Sequence, residues 1–276
     1  MPGPVALFLS PHLDDVAFSC GGTVAALTRQ GWRAVVATAF TASLPRPTGF
    51  ALACQTDKGL GADVDYLAIR RDEDAGFGRA VGLGGDDLEW LGLAEAPHRG
   101  YDSAPALFAG VRPGDEAWRE VAGALDRLDA RHRPGLVFAP QGIGNHADHL
   151  QVIRAVLERP AIAARTAWYR DLPYAAKFPD ARPDPRLPRG LVEAAPDLGP
   201  ADLEAKLAGC ACYATQLPFQ FGGVAPMRRR LADFAAAEGS RLGRPGPVEA
   251  FLAPPGVMEL FRPTGSTDSD ILREGG

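Results

Sequence analysis

Four cysteines in 276 residues, at Cys20, Cys54, Cys210 and Cys212 with no C-x-x-C pair, are too few and too scattered for a disulfide framework. They read as free thiols; Cys210 and Cys212 flank an alanine inside a helix-like stretch and read as packing residues rather than ligands. Positive charge is scarce too. Lys and Arg number 29 against 34 Asp and Glu, a formal charge of -5, so bulk electrostatics draw the chain neither to nucleic acid nor to an anionic membrane surface. Long apolar runs are missing: nothing approaches the roughly 20 apolar residues of a bilayer span. The opening "MPGPVALFLSPH" has no basic stretch ahead of its short apolar run, so the expectation is a cytoplasmic protein with no membrane span. The sequence leaves oligomeric state open.

What is present is ordinary for a globular protein: 46% hydrophobic and 23% charged residues, enough for a continuous core. Short apolar runs at Val5–Leu9, Ala34–Phe40, Leu88–Leu91, Leu136–Ala139 and Thr166–Tyr169 read as buried strands. Between them, helical spacing occupies Ala17–Gln30, Arg70–Val81, Asp115–Arg131 and His149–Leu157. This alternation predicts an α/β fold of Rossmann-like type, a mostly parallel sheet with helices on both faces. One domain over residues 1–262 is expected, with a core at 4–170, a Pro-rich loop or lid at about 172–200 and a C-terminal part at 201–262. That last part holds helices at Ala201–Ala214 and Met227–Ala237 and a strand in "VEAFL"; residues 263–276 read as a frayed tail.

Two stretches carry chemistry. In "SPHLDD", His12 and Asp15 are three residues apart, able to converge if the turn opens a helix, with Asp14 beside them. In "GNHADH", His146 and His149 repeat that spacing around Asp148. Both follow predicted strands, at the carboxyl edge where open parallel sheets bind ligands. Two imidazoles and a carboxylate from His12, Asp15 and His149 form an ordinary catalytic zinc set with a fourth position open to water. Asp14 and His146 remain for the two further tasks of a hydrolase, a general base and a cation for the oxyanion, with Asp148 accepting the second N–H of an imidazole.

Either cluster alone reads as well as a helix cap and a satisfied histidine. Together they place three of the chain's five histidines at one sheet edge, which outweighs that reading. His98 and His132 have no such company; His132, at a helix end, is expected on a solvated face. "GLGGDD" at Gly82–Asp87 lacks the full dinucleotide-binding pattern and precedes a strand rather than following one. "MRRRL" at Met227–Leu231 reads as a solvated helix face.

With "SPHLDD" followed by "GG" and with "HADH" after a later strand, the sequence resembles the PIG-L/LmbE-like family of zinc-dependent N-deacetylases, over roughly Val5–Leu157. The resemblance implies zinc on His12, Asp15 and His149, Asp14 as general base, and a protonated His146 at the oxyanion, held by Asp148. It also marks Arg71, in "RRDED", as a sugar contact. The expected reaction removes acetyl from an N-acetylglucosamine-type sugar conjugate, and ferrous iron would accept the same ligands. Leu13 and Val16 depart from the family's usual proline and glutamate. Two rival readings stand beside it: a zinc amidase for a larger acyl or thiol-conjugate amide, and a non-catalytic sugar-binding protein on the same fold.

Overall fold

The computed structural model describes residues 3–257, so the expected tail at 263–276 lies outside the described residues. Seven strands form one sheet: β1 (Val5–Ser10), β2 (Arg33–Thr38), β3 (Leu88–Trp90), β4 (Leu136–Pro140), β5 (Thr166–Tyr169), β6 (Val192–Ala194) and β7 (Phe251–Ala253). Their order is β3-β2-β1-β4-β5-β7-β6; the first five are parallel, and β7 runs antiparallel to both β5 and β6. Along the chain the helices are α1 (Asp15–Arg29), α2 (Gly49–Thr56), α3 (Tyr66–Ala80), α4 (Ala104–Phe108), α5 (Trp118–His132), α6 (Ala147–Leu157), α7 (Pro160–Ala163), α8 (Tyr174–Lys177), α9 (Pro200–Cys210), α10 (Leu217–Phe221) and α11 (Val224–Arg241). No described helix is long and apolar enough to cross a membrane.

The apolar runs are continuous because the strands are buried on both faces. Ala6 and Phe8 of β1 face a core shared with α1 and α9, where Phe8 stacks on Phe138 with ring centroids 4.2 Å apart. Leu7 and Leu9 face the opposite core, filled by Val121, Leu125 and Leu128 of α5 and by Val152 and Ile153 of α6. The two glycines behind "SPHLDD" serve helix packing. The backbone of α1 kinks at Cys20, and a Cβ on Gly22 would lie 2.8 Å from Leu198. The N–H groups of Gly22 and Thr23, freed by the kink, donate to buried Glu249, which also pairs with Lys206 at 2.6 Å.

Several boundaries move for identifiable reasons. Helix α3 begins at Tyr66 rather than Arg70, because Asp65 caps it by accepting from the Ala68 N–H at 2.9 Å. The Pro-rich stretch is more regular than a loop: it contains α8 and the edge strand β6, a three-residue strand lying between Pro188 and Pro196. The strand expected at "VEAFL" is shifted to Phe251–Ala253. His132 is buried rather than solvated, its ring against Glu89 of β3.

Sequence order in the sheet reverses between β1 and β4, since the chain builds outward from β1 to β3 and then returns to β4 on the other side. The loops leaving those two adjacent strands open a crevice at their carboxyl ends. "SPHLDD" follows β1 and "GNHADH" follows β4.

Candidate metal centre

His12 lies in the turn between β1 and α1, and Asp15 is the first residue of α1. The Asp15 carboxylate accepts the His12 backbone N–H at 2.8 Å, and its Oδ2 lies 3.2 Å from His12 Nδ1. From α6, His149 brings Nε2 to 3.3 Å of the same oxygen. That nitrogen is buried and, beyond this approach to Asp15, has no hydrogen-bond partner among the described residues. His12 Nδ1, Asp15 Oδ2 and His149 Nε2 thus converge from two loops, all within 4.8 Å of one another.

The outer nitrogen of each histidine is tied to a buried carboxylate. His12 Nε2 lies 2.9 Å from Asp148 Oδ2, and His149 Nδ1 lies 2.6 Å from Asp171 Oδ1. This is the arrangement that fixes an imidazole's orientation and leaves its inner lone pair for a cation. His12, His146 and Asp148 also come within 4.8 Å, but the Asp148 carboxylate is already committed to His12, to the Ala96 N–H at 3.0 Å and to Arg99 at 2.7 Å. The set of His12, Asp15 and His149 therefore fits a metal ion better, and an unpartnered buried nitrogen supports it.

Asp14 and Asp15 have opposite electrostatics. Burial pushes Asp14 up to about 7, against the pull of the Arg70 guanidinium 3.3 Å away. Burial acts on Asp15 too, but His149 and His12 outweigh it and hold its carboxyl well below the usual range. Likewise burial favours a neutral His149, yet Asp15 and Asp171 carry it up to about 9. His146 goes the other way, down to about 3, through burial and the nearby His12.

The structure corrects two expectations about His146. Asp148 touches it through the backbone: the Asp148 N–H donates to His146 Nδ1 at 3.2 Å, and His146 caps α6. An imidazole accepting at Nδ1 is neutral and carries its hydrogen on Nε2, so His146 is a neutral donor rather than a cation. The Asp148 carboxylate instead serves His12 and Arg99. Arg71 is also displaced from the centre: half-buried, it bonds to the Thr41 carbonyl and to Ser43. Its neighbour Arg70 holds the inner position, bonded to Glu95 at 3.0 Å and to the Leu13 carbonyl at 3.1 Å.

Three residues escaped the sequence reading. Asp171 follows β5 at the same carboxyl edge as the two clusters, a signal that the strand placement already offered. Arg99 and Glu95 gave no comparable sign, because their partners arrive from distant loops. Val16, where the family pattern has glutamate, is buried in the apolar core, and its N–H donates to Ser10 Oγ. The site opens to a cavity of about 260 Å³ whose apolar wall includes Phe50, Leu107, Phe108, Tyr174 and Phe219. Tyr174 is the contribution of the Pro-rich stretch; other parts of that stretch line a separate hollow against α11.

A histidine and aspartate cluster at the switch point of a doubly wound sheet defines a candidate hydrolytic metal centre. Residues 7–159 match the PIG-L family, described as GlcNAc-PI de-N-acetylase, and the chain belongs to that family. It is 37% identical over 223 residues to the 2'-N-acetylparomamine deacetylase of Streptomyces fradiae, a match spanning 76% of this chain and 72% of that one. The zinc-inhibited form of teicoplanin deacetylase Orf2 shares the fold with a TM-score of 0.76 at 23% identity, over 90% of this chain and 97% of that one. The A40926 pseudoaglycone deacetylase Dbv21 shares it with a TM-score of 0.73 at 24% identity, over 92% and 97%.

Proposed function

We propose that the protein is a metal-dependent N-deacetylase that releases acetate from an N-acetylated amino sugar within a larger conjugate. Family membership supports the reaction class, and the relative acting on 2'-N-acetylparomamine supports an amino-sugar substrate. The observation that carries the reading is His149 Nε2, a buried nitrogen that, among the described residues, has only Asp15 Oδ2 in front of it, an oxygen that His12 Nδ1 also faces.

Two imidazoles and a carboxylate suit zinc, and ferrous iron would accept them too. When bound, such an ion supplies Lewis acidity that polarises the acetyl carbonyl and lowers the pKa of water towards about 7. The chain's own residues do the rest. Asp14 stands next to the ligand set and takes the proton from the attacking water; Arg70 keeps that carboxylate oriented and favours its charged form. Oxygen adds to the acetyl carbon, the C–N bond breaks, and the proton on Asp14 passes to the departing amine, so amide and water give acetate and a free amino sugar. His146 donates from Nε2 to the acetyl oxygen as negative charge develops there, a role that a neutral imidazole performs without gaining a proton. Phe108 and Tyr174, packed edge-on against His146 and His149 at centroid distances of 5.2 and 5.8 Å, screen this face from water.

The test is release of primary amine from a panel of N-acetylglucosamine conjugates by protein stripped with a chelator and reloaded with zinc or ferrous iron. Release that disappears on stripping and returns with metal supports the reading. Metal-bound protein that liberates no amine from any member, yet cleaves longer acyl amides, would replace it with the amidase reading.

A further inference from the structure

The hollow against α11 has a volume of about 580 Å³ and lies between α8, α11 and β7. Chambers of a few hundred Å³ are usual for small molecules. Among the described residues, none that lines it belongs to the reactive cavity; helix α8 gives Tyr174 to the reactive wall and Ala175 and Ala176 to this one. The proposed chemistry makes no use of this space.

Its charges do not balance. Three guanidiniums, from Arg170, Arg182 and Arg241, line it beside two carboxylates, Glu193 and Glu238. Arg241 is bonded to both carboxylates, at 2.7 to 3.1 Å. Arg170 gives only Nη1 to Glu238, at 3.1 and 3.2 Å; its Nη2 has no partner among the described residues and, unlike its Nε, is not enclosed by protein. Arg182 is exposed and has no ion pair or hydrogen bond among the described residues. One positive charge is thus left over, with N–H donors on two side chains that can only donate, and the complement is a single anionic group. The rest of the wall is mainly apolar. Phe234, Pro179, Pro183 and Ala237 suit the face of a ring, and Arg170 lies over the Phe234 ring, 5.6 Å from its centroid, which holds the cation beside that apolar surface.

We infer that this hollow is a binding site for a small molecule that carries one carboxylate or phosphate group on an apolar ring, the anion being held by Arg182 and by Arg170 Nη2. The occupant is distinct from the substrate, because no residue of the metal centre lines the hollow. The inference stands whether or not the deacetylase reading does.

The experiment is calorimetric titration of the zinc-loaded protein with benzoate and phenyl phosphate, with benzyl alcohol, which keeps the ring without the charge, and with acetate and inorganic phosphate, which keep the charge without the ring. One equivalent of benzoate or of phenyl phosphate should bind about 10-fold more tightly than benzyl alcohol and than the matching ringless anion, a hydrogen bond to a charged group being worth about that factor. The preference between the two aryl anions tells carboxylate from phosphate. Arg182→Ala should weaken the aryl anion about 10-fold and Arg182→Lys should recover part of the loss. Ala237→Trp, at an exposed position of α11, should fill the hollow and abolish binding; melting curves establish that each variant is folded. Protein stripped by a chelator should bind the aryl anion as tightly as the zinc-loaded form, which separates the hollow from capture of anions by the metal. Benzyl alcohol bound as tightly as the aryl anions, binding lost with the metal, a folded Arg182→Ala or Ala237→Trp variant that binds as wild type does, or no binding of either aryl anion would overturn the site.

Discussion

His12 Nε2 and Asp148 Oδ2 lie 2.9 Å apart although 136 positions separate them in the chain. That contact joins the loop after β1 to the first turn of α6 and turns His12 so that Nδ1 faces Asp15 and His149. Asp148 is in turn gripped by Arg99, which also holds Asp115 at 3.0 Å.

Metal affinity should therefore depend on residues that need not touch the metal. Asp148→Asn and Asp171→Asn are each expected to weaken binding by about 10- to 100-fold, the usual cost of losing an outer carboxylate partner. Competition with a chromogenic chelator measures this. Unchanged affinity in both variants would mean that the imidazoles are oriented some other way.

His149→Ala removes a ligand outright. Zinc at 100 times its dissociation constant should stabilise the wild type by about 2.7 kcal/mol through mass action, visible as a rise in Tm, and should leave the variant's Tm where it was. A variant that still responds to zinc would point to the alternative set of His12, His146 and Asp148.

His146→Ala should retain the metal and lose about 10² to 10³ in kcat, the range for removing one oxyanion donor. His146→Gln, which keeps an N–H donor and an acceptor, should recover part of that loss. Because the side chain also caps α6, the alanine variant should be about 1 kcal/mol less stable. Rates and melting curves on the same samples separate the two effects.

Behind the site, Lys206 and Glu249 form a buried pair at 2.6 Å that anchors the kinked helix α1 to α9 and to the segment before β7. Lys206→Ala leaves Glu249 buried without its cation and should cost about 3–5 kcal/mol. Denaturant unfolding reads it directly, and a loss below about 1 kcal/mol would show that Gly22 and Thr23 satisfy Glu249 without help.

Much of this was legible because it is local. Strand Thr166–Tyr169 coincides with β5, and the other parallel strands lie where short apolar runs alternate with amphipathic stretches. The clusters fall at the switch point because each directly follows a strand. The hidden parts depend on long-range partners. That Asp148 would serve His12 rather than His146 depends on where α6 docks, and that Arg70 rather than Arg71 faces Asp14 depends on the start of α3, which Asp65 sets. Likewise β6 is stabilised by pairing with β7, which a three-residue strand in a Pro-rich stretch does not announce.

The most direct measurement is metal content and amine release on the same preparations of wild type and Asp14→Asn. The account expects equal metal in both and a fall in kcat of about 10² to 10⁴ in the variant, the contribution of a general base. Loss of metal together with activity would make Asp14 a ligand, and retained activity would remove it from the reaction; either result contradicts the division of labour between Asp14 and the set of His12, Asp15 and His149.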